Sequence, residues 1–247
     1  MSFVRLVDHM GSDSAIVQAA RVSYGAGTKT VSDDRALIRY LLRNWHTTPF
    51  EMVVFKFHVR CPIFVARQWM RHRTASVNEL SARYSVIQDD FYVPSPYSAQ
   101  SADNKQGSDH ENTVPEHLTL DGISVSSTAF SFYNRLLQEG ASREQARIVL
   151  PQGTYTEFYW KMDLHNLFGF LQKRMDHHAQ SEIRILAEKM FQLIKPIVPV
   201  SCEAFQDYRL DALTLTGPEI KALRDGVPIG NKREQQEFEV KRSRLNI

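Results

Sequence analysis

Apolar residues recur at two different spacings along this chain, and the spacing separates the predicted strands from the predicted helices. Residues 50–60 alternate between apolar and polar positions, and the apolar face carries Val53, Phe55, Phe57 and Val59. Because successive side chains of a strand point to opposite faces, this alternation predicts a half-buried strand. Residues 154–162 alternate in the same way, and a shorter strand is predicted over residues 3–7.

Helical spacing dominates the remaining apolar positions, and residues suited to helix starts precede them. The predicted starts are Ser12, Ser32 or Asp33, Pro62, Ser142 and Asp163. The helix after Ser32 or Asp33 is predicted to carry one apolar stripe, namely Leu37, Ile38, Leu41, Leu42 and Trp45. A later helix, ending before Pro196, is predicted to bury Ile183, Leu186, Ala187, Met190, Phe191 and Ile194.

Two segments differ in composition from the rest of the chain. From residue 97 to about residue 119 the sequence loses its periodicity and becomes polar, which predicts an exposed insertion. After Gly217 it is rich in Lys, Arg and Glu, which predicts a solvated helical appendage. We therefore expect a main domain over residues 1–216 and a charged appendage over residues 217–247.

Composition narrows the class of protein. With 247 residues, of which 43% are hydrophobic, the chain is long enough to bury a full core. Two cysteines are too few for a disulfide framework, which favours a reduced, cytoplasmic location. No apolar run approaches membrane-spanning length, so no membrane partner is expected.

Several kinds of site lack their sequence signatures. The chain has neither a GxGxxG nor a GxxxxGK[ST] motif, which argues against Rossmann and P-loop nucleotide sites. Four possible metal ligands lie near one another in the sequence: His165, Asp176, His177 and His178. They form no HExxH motif, and the chain has no paired CxxC motifs, so no metal site is predicted.

Positive charge concentrates in residues 67–83, with the sequence RQWMRHRTASVNELSAR. Four arginines against one glutamate give this run a net charge of +3, whereas the whole chain carries +2. A planar guanidinium group can form two parallel hydrogen bonds with a phosphate, and nearby hydroxyl and amide groups can complete the contacts. The run therefore predicts a pocket for a small phosphorylated molecule.

The first half of this run has two interpretations. Gln68 and Arg71 are three positions apart in the helix predicted after Pro62, so both would reach one ligand. The arginines that follow would equally be stable without a ligand, because the helix dipole favours cations at a helix C-terminus. His72 taken alone fits a structural histidine.

The second half of the run, residues 76–83, favours the interpretation that the run binds a ligand. Ser76 and Glu79 have the spacing of a capping box, and Ser81 and Arg83 follow closely. Ser81 lacks a histidine–carboxylate pair at a recognisable spacing, so a phosphate contact fits it better than a nucleophile.

Two arginines outside the run are also candidates. On a helical wheel Arg174 falls between Leu167 and Phe170, beside a buried stripe, where an arginine either extends to water or meets a buried polar ligand. Arg147, on the helix that Ser142 and Gln145 would cap, is predicted either to turn toward the core or to pair with Glu144.

Several motifs together make the chain resemble the flavin-dependent thymidylate synthases (the ThyX family). The central one is RHR-x7-S, formed here by Arg71, His72, Arg73 and Ser81. The others are AARVSYG near Ala19–Gly25, HTTPFE at His46–Glu51, FVARQW before the signature, ARIVLP at Ala146–Pro151 and RMDHHAQSEI from Arg174. These matches run from about residue 15 to residue 208.

The resemblance implies an α+β fold, with a central, mostly antiparallel sheet flanked by helices, in a homotetramer that binds FAD at its subunit junctions. Residues 1–216 would be the catalytic domain. The implied reaction is the reductive methylation of dUMP to dTMP. In it 5,10-methylenetetrahydrofolate is the carbon donor, NADPH is the reductant and tetrahydrofolate is the folate product. We expect no metal cofactor and no nucleic-acid partner.

The resemblance also implies contacts for individual residues. The positions expected to contact FAD are Thr48, Arg71, His72, Arg73, Glu79, Asp163, Leu164, His165 and Gly169. The positions expected to contact dUMP are Gln68, Trp69, Met70, Arg71, Glu79, Leu80, Ser81, Ala82, Arg83, Arg147 and Arg174. Arg174, against the uracil ring, is the expected catalytic residue. Family members often carry Asn or His at position 169, so the flavin contact of Gly169 is expected to pass to His165 or to backbone.

Two other functions stay open from the residues alone. A nucleic-acid-binding module would use the arginine run and its aromatic neighbours, although the near-neutral net charge argues against it. A nucleotide phosphohydrolase would use the same arginines but ordinarily needs a carboxylate-bound metal cluster. Cys61 and Cys202 lie outside the signature, so neither is expected to be an essential nucleophile.

Overall fold

The sheet at the centre of the fold is built by the alternating segments of the sequence. In the computed structural model, which describes residues 1–22, 34–102 and 105–245 (without the side chain of His110), the strands are β1 Phe3–Met10, β2 Val54–Pro62, β3 Ser76–Glu79, β4 Ser98–Gln100, β5 Ser108–Thr113 and β6 Tyr155–Asp163. Four of them form an antiparallel sheet in the order β1-β2-β6-β3, and β4 and β5 form a separate hairpin. The α+β class with an antiparallel central sheet is confirmed.

The two central strands pair over their whole length, from Val54 opposite Asp163 to Pro62 opposite Tyr155. Their shared buried face carries Phe55, Phe57, Val59, Cys61, Thr156, Phe158, Trp160 and Met162. The predicted alternation of both strands is therefore confirmed. Because the sheet is apolar on this face, the helices that flank it must cover it.

The helices are α1 Asp13–Val22, α2 Asp34–Arg43, α3 Thr48–Glu51, α4 Ile63–Trp69, α5 His117–Gln138, α6 Arg143–Ala146, α7 Leu164–Arg174, α8 Ser181–Ile194, α9 Pro199–Phe205, α10 Gly217–Asp225 and α11 Lys232–Leu245. A 3-10 turn at Arg147–Val149 and a π-helical turn at Gln206–Leu210 complete the order. The buried stripe predicted for α8 is confirmed in full. The predicted cap of α7 also forms, because the Asp163 carboxylate accepts a hydrogen bond from the Asn166 N–H at 2.9 Å. None of the described helices combines the length and the hydropathy needed to cross a membrane.

A second, smaller core lies under α5. It contains Phe130, Tyr133 and Ala146, with partly buried apolar residues around them. The hydroxyl of Tyr133 accepts a hydrogen bond from the backbone N–H of Ile87 at 3.0 Å. This core therefore fixes the chain that follows β3 against the turn that carries Arg147.

Four sequence predictions need correction. Trp45 is not part of the buried stripe of α2 but follows the helix in a left-handed conformation (φ 62°), with 67% of its surface exposed. The Ser142 side chain makes no capping hydrogen bond. Ser76 and Glu79 do not start a helix, because they are the two ends of β3. The strand predicted over residues 50–60 begins only at Val54, because residues 48–51 form the short helix α3.

The chain divides into two compact units, Met1–Phe205 and Gln206–Ile247. In the second unit the helical character predicted for the tail is present, and α10 begins with a capping box between Thr216 and Glu219. The Lys241 ammonium group pairs with the buried Glu219 carboxylate at 2.8 Å. The helix start predicted at Ser32 or Asp33 lies outside the described residues.

Candidate functional site

The first group of predicted site residues lies where α4 ends beside the end of α7. Pro62 supplies the extended N-cap residue of α4, as its fixed φ allows, and the Trp69 ring ends the helix in the core. Trp69 is fully buried and packs against Phe158, Trp160 and Phe170. Its side chain therefore cannot face a ligand, which restricts the predicted dUMP contact of Trp69 to its backbone.

Arg174 lies at the end of α7 and is half-buried. Its Nε–H donates to the Nε2 atom of His72 at 3.1 Å, and its Nη2 donates to the backbone carbonyl of Gln68 at 3.3 Å. That carbonyl is in the last turn of α4, where carbonyl groups lack helical partners and favour a cation. Arg174 thus caps a neighbouring helix, and its side chain does not simply extend to water.

Burial also changes the acid–base properties of this pair. Desolvation lowers the pKa of Arg174 from its ordinary value. For His72, burial and then the charges of Arg174 and Lys173 lower the pKa from 6.5 to about 4. His72 is therefore neutral near pH 7, as the acceptor of an arginine N–H must be.

The other arginines of the RHR signature are exposed. Arg71 and Arg73 follow the end of α4, so Arg71 does not share a helical face with Gln68 as the spacing predicted. Neither guanidinium forms an ion pair or hydrogen bond within the described part of the chain. The side-chain amide of Gln68 bonds to that of Gln180. Met70, the C-cap residue of α4, is half-buried.

The second group surrounds a cavity of about 190 Å³ beside the end of β3. Four predicted dUMP contacts line it, namely Glu79, Leu80, Ala82 and Arg147, together with Thr154, Tyr155 and Thr156 of the β6 region. The hydroxyl of Thr156 donates to the Glu79 carboxylate at 2.7 Å, which fixes that carboxylate at the cavity wall.

Arg83 and Ser81 lie next to these residues. The Oγ atom of Ser81 accepts a hydrogen bond from the Arg83 N–H at 3.3 Å, and the Arg83 guanidinium pairs with the Glu144 carboxylate at 3.0 Å. Arg147 is exposed, and its Nε–H donates to the backbone carbonyl of Glu144 at 3.3 Å. The predicted pairing of Arg147 with the Glu144 carboxylate is therefore wrong, because Arg83 holds that carboxylate.

The third group lies at the other end of α7. Thr48 opens α3, which packs against α7, and Asp163 caps the start of α7. The Leu164 side chain is fully buried, so only its backbone can reach a ligand. His165 is half-buried and Gly169 is exposed. A Cβ atom at position 169 would meet nothing within 4 Å, so space for a larger side chain exists there.

Within one chain, the third group lies apart from the other two. Glu79 is opposite Phe158 on β6, five positions from Asp163, which is about 17 Å along a strand. Arg174 is ten positions beyond Leu164, which is about 15 Å along a helix. A ligand that touches members of all three groups must be long, or must be shared between copies of the chain.

Comparison with known proteins assigns the family. Residues 5–200 match the family described as "Thymidylate synthase complementing protein". The chain is 56% identical over 241 residues to a flavin-dependent thymidylate synthase of Dictyostelium discoideum, covering 95% of this chain and 79% of that protein. This chain belongs to the flavin-dependent thymidylate synthase family. A Thermus thermophilus member is 55% identical over 222 residues, or 90% of this chain and 82% of that protein.

A solved structure is also similar. The chain matches, with a TM-score of 0.75 and 36% identity, the UMP/dUMP methylase PolB of Streptomyces cacaoi crystallised with 5-Br dUMP. The match covers 85% of this chain and 97% of that one.

Some side chains at the candidate site of this flavin-dependent thymidylate synthase family member were missed from the sequence. Thr154 and Thr156 line the cavity, and Gln180 bonds to Gln68. The alternation of residues 154–162 could have identified the two threonines as site residues. It places both on the buried face, where a hydroxyl group needs a partner.

The possible metal ligands after α7 are close together. Asp176, His177 and His178 offer ligand atoms that all lie within 4.8 Å of one another, and all three residues are exposed. The Asp176 carboxylate already contacts the His178 ring at 2.8 Å. We assign no metal to this cluster.

Proposed function

We propose that this protein is a flavin-dependent thymidylate synthase that converts dUMP to dTMP by reductive methylation. In this proposal 5,10-methylenetetrahydrofolate donates the carbon, NADPH supplies the reducing equivalents, FAD carries the hydride and tetrahydrofolate is released. Membership of the family supports the reaction class. The choice of FAD, NADPH and this folate rests on the RHR-x7-S resemblance.

The observation that carries the proposal is the fixed, positively charged Arg174. Carbon 5 of uracil becomes a nucleophile only when negative charge can build up on the ring carbonyls and N3. A guanidinium held in place beforehand stabilises such charge strongly in a half-buried site, because little reorganisation is needed. Arg174 is oriented by two neutral acceptors, and no carboxylate among the described residues pairs with the charge that would face the ring.

The exposed arginines fit a flavin dinucleotide. Arg71 and Arg73 are exposed and free of ion pairs with other described residues, so their guanidinium groups are available to the pyrophosphate of FAD. The open surface at Gly169 leaves room for a planar ring near the start of α7. When bound, the flavin supplies the hydride chemistry, and the protein positions and polarises the reacting groups.

The phosphate and sugar of dUMP fit the second group. Arg147 lines the cavity together with Glu79, and the Glu79 carboxylate, fixed by Thr156, can accept from a sugar hydroxyl. Ser81 and Arg83 are next to these residues in the chain and bond to each other through the Arg83 N–H.

We further propose a homotetramer with its sites at subunit junctions. The separation of the third group from the other two within one chain supports it, because copies would then contribute jointly to a site that uses all three. Large apolar side chains near the second group are exposed, with Tyr84 at 77% and Ile148 at 78% of their surface. Such exposure is typical of a surface that another subunit covers.

The proposal can be tested on purified protein. We expect a flavin absorbance spectrum, bleaching with NADPH when dUMP is present, and dTMP by chromatography when methylenetetrahydrofolate is added. Protein that binds flavin but makes no dTMP under these conditions would overturn it. Colourless protein that binds oligonucleotides with a steep salt dependence would instead indicate the nucleic-acid module, and dUMP dephosphorylation would indicate the phosphohydrolase.

A further inference from the structure

His72 is the only side chain that the described structure places on the Nε atom of Arg174. The acceptor is the His72 Nε2 atom, at 3.1 Å from the Nε atom of the guanidinium. The His72 ring packs edge-on against Phe170, with centroids 4.8 Å apart. Phe170 is itself fully buried, so it restricts where the imidazole can turn.

The hydrogen bond defines the tautomer of His72. An arginine Nε–H always donates, so the Nε2 atom must carry a lone pair, and the proton of the neutral ring must be on Nδ1. The Nδ1–H group has no hydrogen-bond partner among the described residues. It is therefore free to donate to a ligand while Nε2 holds Arg174.

Two of the five N–H groups of Arg174 are used within the chain, one on His72 and one on the Gln68 carbonyl. The three that remain belong to the terminal nitrogens, which can donate to a carbonyl oxygen of the ring. Without the His72 contact, the guanidinium could rotate about its Cδ–Nε bond and turn these N–H groups away from the ring.

We propose that His72 is a positioning residue that orients the Arg174 guanidinium toward the pyrimidine of the substrate. This deepens the proposed function, on which it rests. It differs from the flavin contact expected for the RHR signature, because it acts through Arg174 and requires the acceptor atom Nε2. An acceptor at that position suffices, and the imidazole itself is not required.

The test compares two substitutions. In His72→Gln the amide oxygen can replace the Nε2 acceptor, so we expect single-turnover dTMP formation within about threefold of wild type. In His72→Leu the acceptor is lost, and a hydrogen bond to a charged group of this kind corresponds to a loss of about tenfold to hundredfold. Flavin content is measured by absorbance in both, and the rates are compared per bound flavin. His177→Leu, an exposed histidine that contacts Asp176, is the matched control and should leave the rate unchanged.

A double-mutant cycle identifies the route of the effect. In an Arg174→Ala background, His72→Leu should change dUMP affinity and the residual rate by less than about twofold, because the route through Arg174 is already absent. An effect of His72→Leu that persists in full in this background would overturn the proposal. So would a His72→Gln protein as impaired as His72→Leu.

A measurement without substrates keeps this inference separate from the proposed function. Nitrogen-15 spectra of the imidazole near pH 7 should show the Nδ1–H tautomer for His72 in wild type, and this preference should be lost in Arg174→Ala. An Nε2–H tautomer in wild type would overturn the inference, whatever the reaction is. Failure of wild type to make dTMP, with the Nδ1–H tautomer present, would reject the proposed function and retain the His72–Arg174 link.

Discussion

Arg174 and Arg83, two arginines predicted to contact the same nucleotide, are held in opposite ways. Arg174 is half-buried, and both of its partners are neutral acceptors, the His72 ring and the Gln68 carbonyl. Arg83 is 55% exposed, and its partner is the Glu144 carboxylate, which is 59% exposed.

Arg174 therefore carries a charge that is held in one place, whereas Arg83 can exchange its carboxylate partner for a ligand. The neutral partners of Arg174 orient it without cancelling its charge, which suits stabilisation of charge that develops during a reaction. Arg83 is already neutralised, and an exposed pair of this kind contributes about 0–1 kcal/mol. A phosphate can therefore displace Glu144 at little cost, which suits binding and release.

The largest effect is expected at the fixed arginine. Arg174→Ala should lower kcat for dTMP formation by about 10²–10³-fold, the loss typical when one preorganised donor is removed. Arg174→Lys keeps the charge but cannot contact His72, Gln68 and a planar ligand at once, so it should be impaired nearly as much. Steady-state kinetics and flavin absorbance check this. Turnover within threefold of wild type in either protein, with flavin bound, would remove Arg174 from the mechanism.

In the region around Arg83, the Glu79 carboxylate is held in place by the Thr156 hydroxyl. Loss of this hydrogen bond is expected to have a smaller effect than loss of Arg174. Thr156→Val removes the hydroxyl that bonds the Glu79 carboxylate, and the loss of about 1–1.5 kcal/mol corresponds to about fivefold to tenfold weaker dUMP binding. Thr156→Ser keeps a hydroxyl and is the matched control. Calorimetric titration with dUMP measures both, and equal affinities in the two variants would contradict a role for the Thr156–Glu79 bond.

Local patterns in the sequence were sufficient to predict most of the sheet and the helices that carry the site. β6, α7 and α8 each follow one period with a clear start or stop, and each was predicted correctly, whereas β2 was predicted with its start too early. The helix α5 was not predicted, because its 22 residues are rich in Ser and Thr and bury only Thr119, Ser126, Phe130 and Tyr133. Its stability depends on the second core, which pairs it with distant segments.

One site prediction failed and another was incomplete, for a related reason. Ser76 and Glu79 have capping-box spacing, but pairing with β6 makes this stretch a strand, so tertiary pairing decided the outcome. Arg174 was placed beside the buried stripe by its spacing, yet its partners, His72 and Gln68, are about a hundred residues away in the sequence. No local pattern contains that information.

The dependence of folding stability on acid pH tests the burial of His72 beside Arg174. Burial lowers the pKa of His72 from 6.5 to about 4, so between these values the unfolded chain binds a proton at His72 that the folded chain does not. Above pH 6.5 the titration of His72 does not change the free energy of unfolding. As the pH falls from 6.5 toward 4, this titration lowers the free energy of unfolding progressively.

The measurement is the urea midpoint of unfolding at pH 7 and pH 5. His72→Gln, which cannot titrate, should lose less stability between these values than wild type does. His117→Gln, at an exposed histidine, is the matched control. An identical fall in wild type and His72→Gln would show that His72 is not buried and neutral as described.

Removing the carboxylate partner of Arg83 is expected to have a smaller effect, and this change should strengthen dUMP binding. Glu144→Gln removes the partner of Arg83, and since such a pair is worth at most about 1 kcal/mol, dUMP should bind up to about fivefold more tightly. The gain should diminish in high salt. Glu139→Gln, another exposed glutamate of this part of the chain, should not reproduce it. Weaker binding in Glu144→Gln would mean that Glu144 orients Arg83 and does not compete with the ligand.

The two cysteines are in neither arginine region, and their removal should have the smallest effect on turnover. Burial raises the pKa of both Cys61 and Cys202 to about 12, so at neutral pH both are thiols without access to a ligand. A protein with Cys61→Ala and Cys202→Ala should therefore form dTMP, per bound flavin, within about twofold of wild type, although loss of core packing will lower its unfolding midpoint. Complete loss of turnover in folded, flavin-bound protein would mean that a thiolate attacks the pyrimidine. Charge stabilisation by Arg174 would then no longer suffice to activate the ring.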